Sequence, residues 1–167
     1  KDIKGRVDYR SLPILCIDPK GAEDHDDAVS VEILPDGFKL GVHIADVSHY
    51  VPEGSALDSE ALSRSYTQYL PWTAVPMLPE KLSGDLCSLH EGVDRLAFTC
   101  MMRLNKKGEV LEYEFQKSVV HVKSAISYEY AMELLENKDP DILALATVAR
   151  LLREKKKKNG ILELIST

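Results

Sequence analysis

An α+β domain, with a mixed and largely antiparallel sheet flanked by helices, is the architecture this sequence predicts, on three observations. Short apolar runs bounded by turn residues fill the first third of the chain. A second pair of strand-like runs lies around residues 96–122. From Ser127 onward the apolar spacing is helical, with capping residues in place. Taken in order, Leu12 to Ile17 reads as one strand and Ala28 to Leu34 as the next. Pro35-Asp36-Gly37 is a tight turn that brings Phe38 to Ile44 back as a hairpin partner. Ser55 is placed to cap a helix through about Ser65, with Leu57, Ala61 and Leu62 facing inward. Pro71, Pro76 and Pro79 then predict a mostly irregular stretch, because proline has no amide hydrogen for a ladder. Leu96 to Leu104 and Val110 to Val122 form a second hairpin about Asn105-Lys106-Lys107-Gly108. Ser127 caps one amphipathic helix. Asp139-Pro140 opens another that runs to about Lys158 and stops at Asn159-Gly160.

The bulk numbers fit one soluble domain over 1–167, with 44% hydrophobic and 29% charged residues. No apolar run approaches the roughly 18 residues needed to span a bilayer, so no membrane partner is expected. Lys1-Asp2-Ile3-Lys4 is too polar for a secretory signal. Cys16, Cys87 and Cys100 lack any C-x-x-C pairing and sit among apolar neighbours, so buried free thiols in a reducing cytoplasm are expected. The net charge of −6 argues against a generally basic nucleic-acid-binding surface. Lys155 to Lys158 form the one strongly basic run, read as cations complementing a helix C-terminus rather than as an RNA contact. The chain ends on Leu162-Glu163-Leu164-Ile165 without a stop signal and reads as a piece of a longer protein.

Between the first two strands, Asp18, Glu23, Asp24, Asp26 and Asp27 crowd into D-P-K-G-A-E-D-H-D-D. Two like charges about 4 Å apart repel by about 4 kcal/mol at an effective dielectric near 20. Protons or cations must neutralise such a set, unless it simply lies in solvent as most acidic loops do. Hard oxygen ligands suit Mg²⁺, with Mn²⁺ as the alternative, and point to phosphoryl-transfer chemistry without a small organic cofactor. The loop must fold back to gather the acids, and Gly21 after Pro19 supplies a bend. A calcium EF-hand is excluded, since from Asp18 its third and fifth ligand positions would be Lys20 and Ala22.

Four ordered blocks carry a family resemblance. Cys16-Ile17-Asp18 with Asp24-His25-Asp26-Asp27-Ala28 resembles the catalytic motif of the RNase II/RNase R exoribonucleases. Val42 to Tyr50 is similar to that family's V-x-I-A-D-V-S-H-Y segment, and Thr67-Gln68-Tyr69-Leu70-Pro71 to its T-x-Y-x-P element. Pro76-Met77-Leu78-Pro79 through Leu86-Cys87-Ser88-Leu89 is similar to P-M-L-P-x-x-L-S-x-x-L-C-S-L. The resemblance implies a processive exoribonuclease that degrades single-stranded RNA from the 3′ end and releases 5′-nucleoside monophosphates. It places Asp18, Asp24, Asp26 and Asp27 on the metal-site aspartates, with Asp26 as the catalytic carboxylate. Asp18 and Asp27 are expected to hold the firmer magnesium directly. Tyr69 falls on the tyrosine that lies against the terminal nucleotides.

His25 stands between two of these acids and is expected to shape the loop rather than to transfer protons. Asp46, His49 and Tyr50 are expected to support the site without a distinct task, and Arg95 to anchor a carboxylate. Two departures qualify the likeness. Ala125 precedes Ile126-Ser127-Tyr128 where the family commonly has a basic residue. The resemblance also implies that the chain is the first half of the catalytic domain, and that an arginine, a glutamate and a C-terminal barrel lie beyond it. The isolated 167 residues are therefore expected to bind metal weakly and to be nearly inactive. The alternative function is a non-catalytic RNA-holding scaffold on a nuclease-like fold. The sequence leaves the oligomeric state open.

Overall fold

Alternating apolar and polar residues dictate a strand whose two faces differ, and the longest such stretches build the sheet. The computed structural model describes residues 3–160. Its strands are β1 (Val7–Asp8), β2 (Ile14–Asp18), β3 (Asp27–Leu34), β4 (Gly37–Ala45), β5 (Gln68–Leu70), β6 (Thr73–Val75), β7 (Asp94–Asn105) and β8 (Val110–Ser127). Its helices are α1 (Val47–Tyr50), α2 (Ala56–Arg64), α3 (Tyr128–Glu136) and α4 (Pro140–Lys158), with one wide helical turn at Leu82–Leu86. The expected hairpins form in register, with Val31 opposite Leu40 in β3–β4 and Cys100 opposite Phe115 in β7–β8.

The sheet goes further than the sequence foretold, because its pairings run in a closed circuit. β4 pairs β7, β7 pairs β8, and the end of β8 turns onto β2 in parallel, with Cys16 opposite Ala125. β2 then returns through β3 to β4, and β1 adds to β8 in parallel. Closure removes most of the free sheet edge. Alternation sorts the side chains: Ile14 and Cys16 join an inner cluster with Ala28, Ala45, Ala97, Val120 and Val122. Leu15, between them, packs outward with Ile126 against Ile142 of α4. Val31, Leu40 and Leu104 likewise meet Ala144 and Val148.

The expected caps are in place. Ser55 accepts a hydrogen bond from the Asp58 amide, Ser127 from that of Tyr130, and Asp139 from those of Asp141 and Ile142. Lys155 to Lys158 occupy the last turn of α4 and are exposed, which suits complementing the helix dipole. Two expectations need correction. Leu62 does not face inward but is 79% exposed, whereas Ala61 is buried; α2 buries a stripe one residue wide. The proline-rich stretch is less irregular than expected, for β5 and β6 form a ribbon. Pro71 lies in its turn and Pro76 beyond its end, so neither must donate to the ladder.

A polar chain crosses the barrel interior. Ser118 donates to the Ala97 carbonyl at 3.2 Å, and Thr99 and Ser118 are 2.7 Å apart. Each hydroxyl has one proton, so Thr99 donates to Ser118 and accepts from Nδ1 of His43, 2.8 Å away. Nε2 is then the acceptor for Ser30 at 3.0 Å. The chain fits because residue 41 is glycine: a Cβ there would lie 2.5 Å from Ser30 Oγ and 2.7 Å from His43 Nε2. Burial lowers the His43 pKa to about 4. The unfolded chain protonates His43 below about 6.5 and the folded one does not until about 4. Stability is therefore fully present above 6.5 and is lost as pH falls through that window, by about 3 kcal/mol. Urea midpoints between pH 7 and 4.5 should show this loss, and His43→Gln, which does not titrate, should flatten it.

Candidate active site

The acidic loop is stretched between two sheet positions. Asp18 closes β2 opposite Ser127, and Asp27 opens β3 opposite Ile44. The expected bend is present: Gly21 adopts φ 83°, a left-handed conformation that glycine takes without strain, and the Ala22 amide donates to the Pro19 carbonyl at 3.1 Å. On the return, the Ala45 amide donates to the Asp26 carbonyl at 2.9 Å. Backbone contacts to β4 thus fix where Asp26 leaves the sheet.

Asp24, Asp26 and Asp27 are exposed and Asp18 is half-buried. They act on one another electrostatically. Desolvation raises the Asp26 pKa, and the charges of Asp24, Asp27 and Asp18 raise it further, while His25 lowers it without cancelling the effect. The donor set is thus carboxylate oxygens carrying uncompensated negative charge, which fits a hard divalent cation. The acids do not all converge to ligand spacing: among the described residues, the set of three potential ligands whose atoms lie within 4.8 Å of one another is Cys16, Asp18 and His25. Within that set the Cys16 thiol is buried, which pushes its pKa up to about 12, and its Sγ donates to the Leu89 carbonyl at 3.4 Å.

His25 shapes the loop in a specific way. Its Nδ1 lies 2.6 Å from Asp18 Oδ2, with only 12% of the side chain exposed. This contact aims Asp18 and occupies one of its oxygens. Tyr69, on β5, is 73% exposed, and its hydroxyl donates to Asp24 Oδ2 at 3.2 Å. The Asp24 charge in turn raises the tyrosine's pKa. Two hollows of about 310 and 490 Å³ share Asp24, Thr67, Tyr69 and Ser83 in their walls, and Asp26 lines the smaller.

Side chains with modest expected roles prove to be braces. Asp46 is buried against Arg6 at 2.6 Å and accepts from Ser48 at 2.8 Å. Nothing in the sequence pairs Arg6 with Asp46. Arg95 anchors Asp85 at 2.8 Å, as expected, and also donates to the Ser88 carbonyl at 2.9 Å.

Residues 6–167 match the RNB domain family. The chain belongs to that family. It is 46% identical over 172 residues to ribonuclease R of Thermotoga maritima, covering 96% of this chain and 24% of that protein. Its fold is similar to Mycoplasma genitalium RNase R in complex with ribose-methylated single-stranded RNA, with TM-score 0.91, 32% identity, and coverage of 96% of this chain and 27% of that one. It also shares its fold with yeast Ssd1, a pseudonuclease, at TM-score 0.84, 22% identity, and coverage of 99% and 21%. The chain spans about a quarter of the length of the curated relatives first matched. Among the described residues no helix is long and apolar enough to cross a membrane.

Proposed function

We propose that this RNB chain is the metal-holding first half of a catalytic domain that hydrolyses single-stranded RNA processively from the 3′ end to 5′-nucleoside monophosphates. The observation that carries the reading is the contact between Tyr69 and Asp24, which sets an exposed aromatic ring beside a group of mutually repelling carboxylates. Asp18, Asp24, Asp26 and Asp27 would hold Mg²⁺ or Mn²⁺, with Asp26 as the catalytic carboxylate. A bound divalent ion supplies Lewis acidity, lowering the pKa of water and offsetting charge on the phosphate. The protein's part is to hold those carboxylates and to seat the RNA terminus. Tyr69 suits the second task, since stacking on an aromatic ring tolerates any base. The solved likeness to an RNase R bound to single-stranded RNA supports this partner. Cys16, Cys87 and Cys100 are free thiols, which suits the cytoplasm.

Removing the ring tests the seat. Tyr69→Ala in the parent-length protein should weaken binding of a single-stranded 3′ end by about 1–3 kcal/mol, whereas Tyr69→Phe should keep most of it. Filter or fluorescence titration with chelated metal reads this without turnover. Equal affinity in all three proteins would remove Tyr69 from the RNA path. The functional reading as a whole is tested by nucleotide release from end-labelled RNA, wild type against Asp26→Asn. Binding in both with release in neither would favour a scaffold, and equal release from DNA would remove the dependence on a 2′-hydroxyl.

A further inference from the structure

The motif around Leu86-Cys87-Ser88-Leu89 has no task in the reading above, yet it lies directly beneath the acidic loop. Ser88 is 0% exposed, and its hydroxyl makes two contacts with backbone groups of that loop. It accepts from the His25 amide at 2.9 Å and donates to the Glu23 carbonyl at 2.9 Å. Those two groups bracket Asp24. The next residue continues the clamp, for the Leu89 amide donates to the His25 carbonyl at 2.8 Å. Ser88 is itself fixed: its amide donates to the Asp85 carbonyl at 3.0 Å, and Arg95 holds its carbonyl at 2.9 Å.

A loop carrying several like charges tends to spread so that they separate. Spreading here would require the peptides on either side of Asp24 to move, and one buried hydroxyl ties both to a fixed point. A hydroxyl is the smallest side-chain group that both donates and accepts. We infer that Ser88 is a positioning residue that holds the backbone on both sides of Asp24 and so keeps that carboxylate in place for a divalent cation. The inference rests on the proposed metal role of those aspartates.

Ser88→Ala and Ser88→Cys in the parent-length protein provide the test, with Mn²⁺ as the probe. Cysteine keeps the buried volume and is a weak hydrogen-bonding partner, so it serves if the alanine variant does not fold. Free Mn²⁺ is followed by electron paramagnetic resonance, and thermal unfolding is recorded without metal. The Kd for Mn²⁺ should rise about 10–100-fold, the usual effect of removing a group that orients metal ligands. RNA release should recover towards wild type at saturating Mn²⁺. A Kd within twofold of wild type in a folded variant overturns the inference. So does a fall in melting temperature with unchanged Kd, which marks Ser88 as merely structural. A wild-type protein that takes up no Mn²⁺ would instead overturn the metal reading itself, a result distinct from equal Kd values.

Discussion

Asparagine in place of Asp26 is expected to lower RNA hydrolysis by the parent-length protein by about 10³-fold or more, equivalent to about 4 kcal/mol of barrier, while leaving RNA binding intact. The substitution keeps shape and removes a charge that burial, and then the repulsion of Asp24, Asp27 and Asp18, already disfavours, raising the Asp26 pKa. The raised pKa predicts a second, opposite effect. A raised folded-state pKa means that Asp26 favours folding fully below about 3.8 and that this contribution is lost as pH rises through the higher folded value. Asparagine does not titrate, so Asp26→Asn should melt higher than wild type at pH 7 in chelator, with the gap closing as pH approaches 4. Activity lost together with stability at pH 7 would mean that Asp26 holds the loop together instead of waiting for a counter-ion. Unchanged activity would sink its catalytic role.

What the sequence made legible follows from which signals are local. Ala28 to Ile44 alternates around a turn, and it folds as the expected hairpin because one face must be buried. Ser55, Ser127 and Asp139 announce helix starts through bonds made within three residues. The closing of the sheet had no such signature: β8 pairs first with β7 and then with β2, more than a hundred residues away. Leu62 misled because helical spacing shows which residues share a stripe and not how wide a stripe the rest of the fold covers.

The site divides in the same way. The acids were visible as a run, and Tyr69 through a family likeness. The structure adds that the tyrosine hydroxyl donates to Asp24. The partners that shape the loop were not visible, since Ser88 reaches Glu23 and His25 across more than sixty residues. His25 lies near Asp18 in sequence, but only the Gly21 reversal sets their side chains face to face.

The largest expected effect on stability comes from Asp46. Its side chain is 1% exposed and that of Arg6 is 5%, with 2.6 Å between them. Arg6 also donates to the carbonyls of Ala97 and Ser118 at 3.3 and 3.4 Å, so one guanidinium ties the residue after β4 to β7 and β8. Burial alone would raise the Asp46 pKa, but the hydrogen bonds from Arg6 and Ser48 outweigh it and hold the carboxyl below the usual range. The stability this gives is present above about pH 3.8 and is lost as pH falls through the lower folded value. Asp46→Ala removes the carboxylate that the buried Arg6 guanidinium contacts, and breaking a buried pair on one side costs about 3–5 kcal/mol. At about 2–4 °C per kcal/mol for a domain of this size, the domain's melting temperature should fall by roughly 10 °C. Arg6→Met with Asp46→Leu should recover much of that loss, because an apolar pair leaves no charge buried alone. The damage should also reach the acidic loop. Asp46 follows Ala45, whose amide holds the Asp26 carbonyl, so Asp46→Ala should weaken Mn²⁺ binding and the apolar double variant should restore it. Recovery of stability without recovery of metal affinity would show that the ion pair itself, and not the rigidity it gives to the end of β4, is what the loop requires.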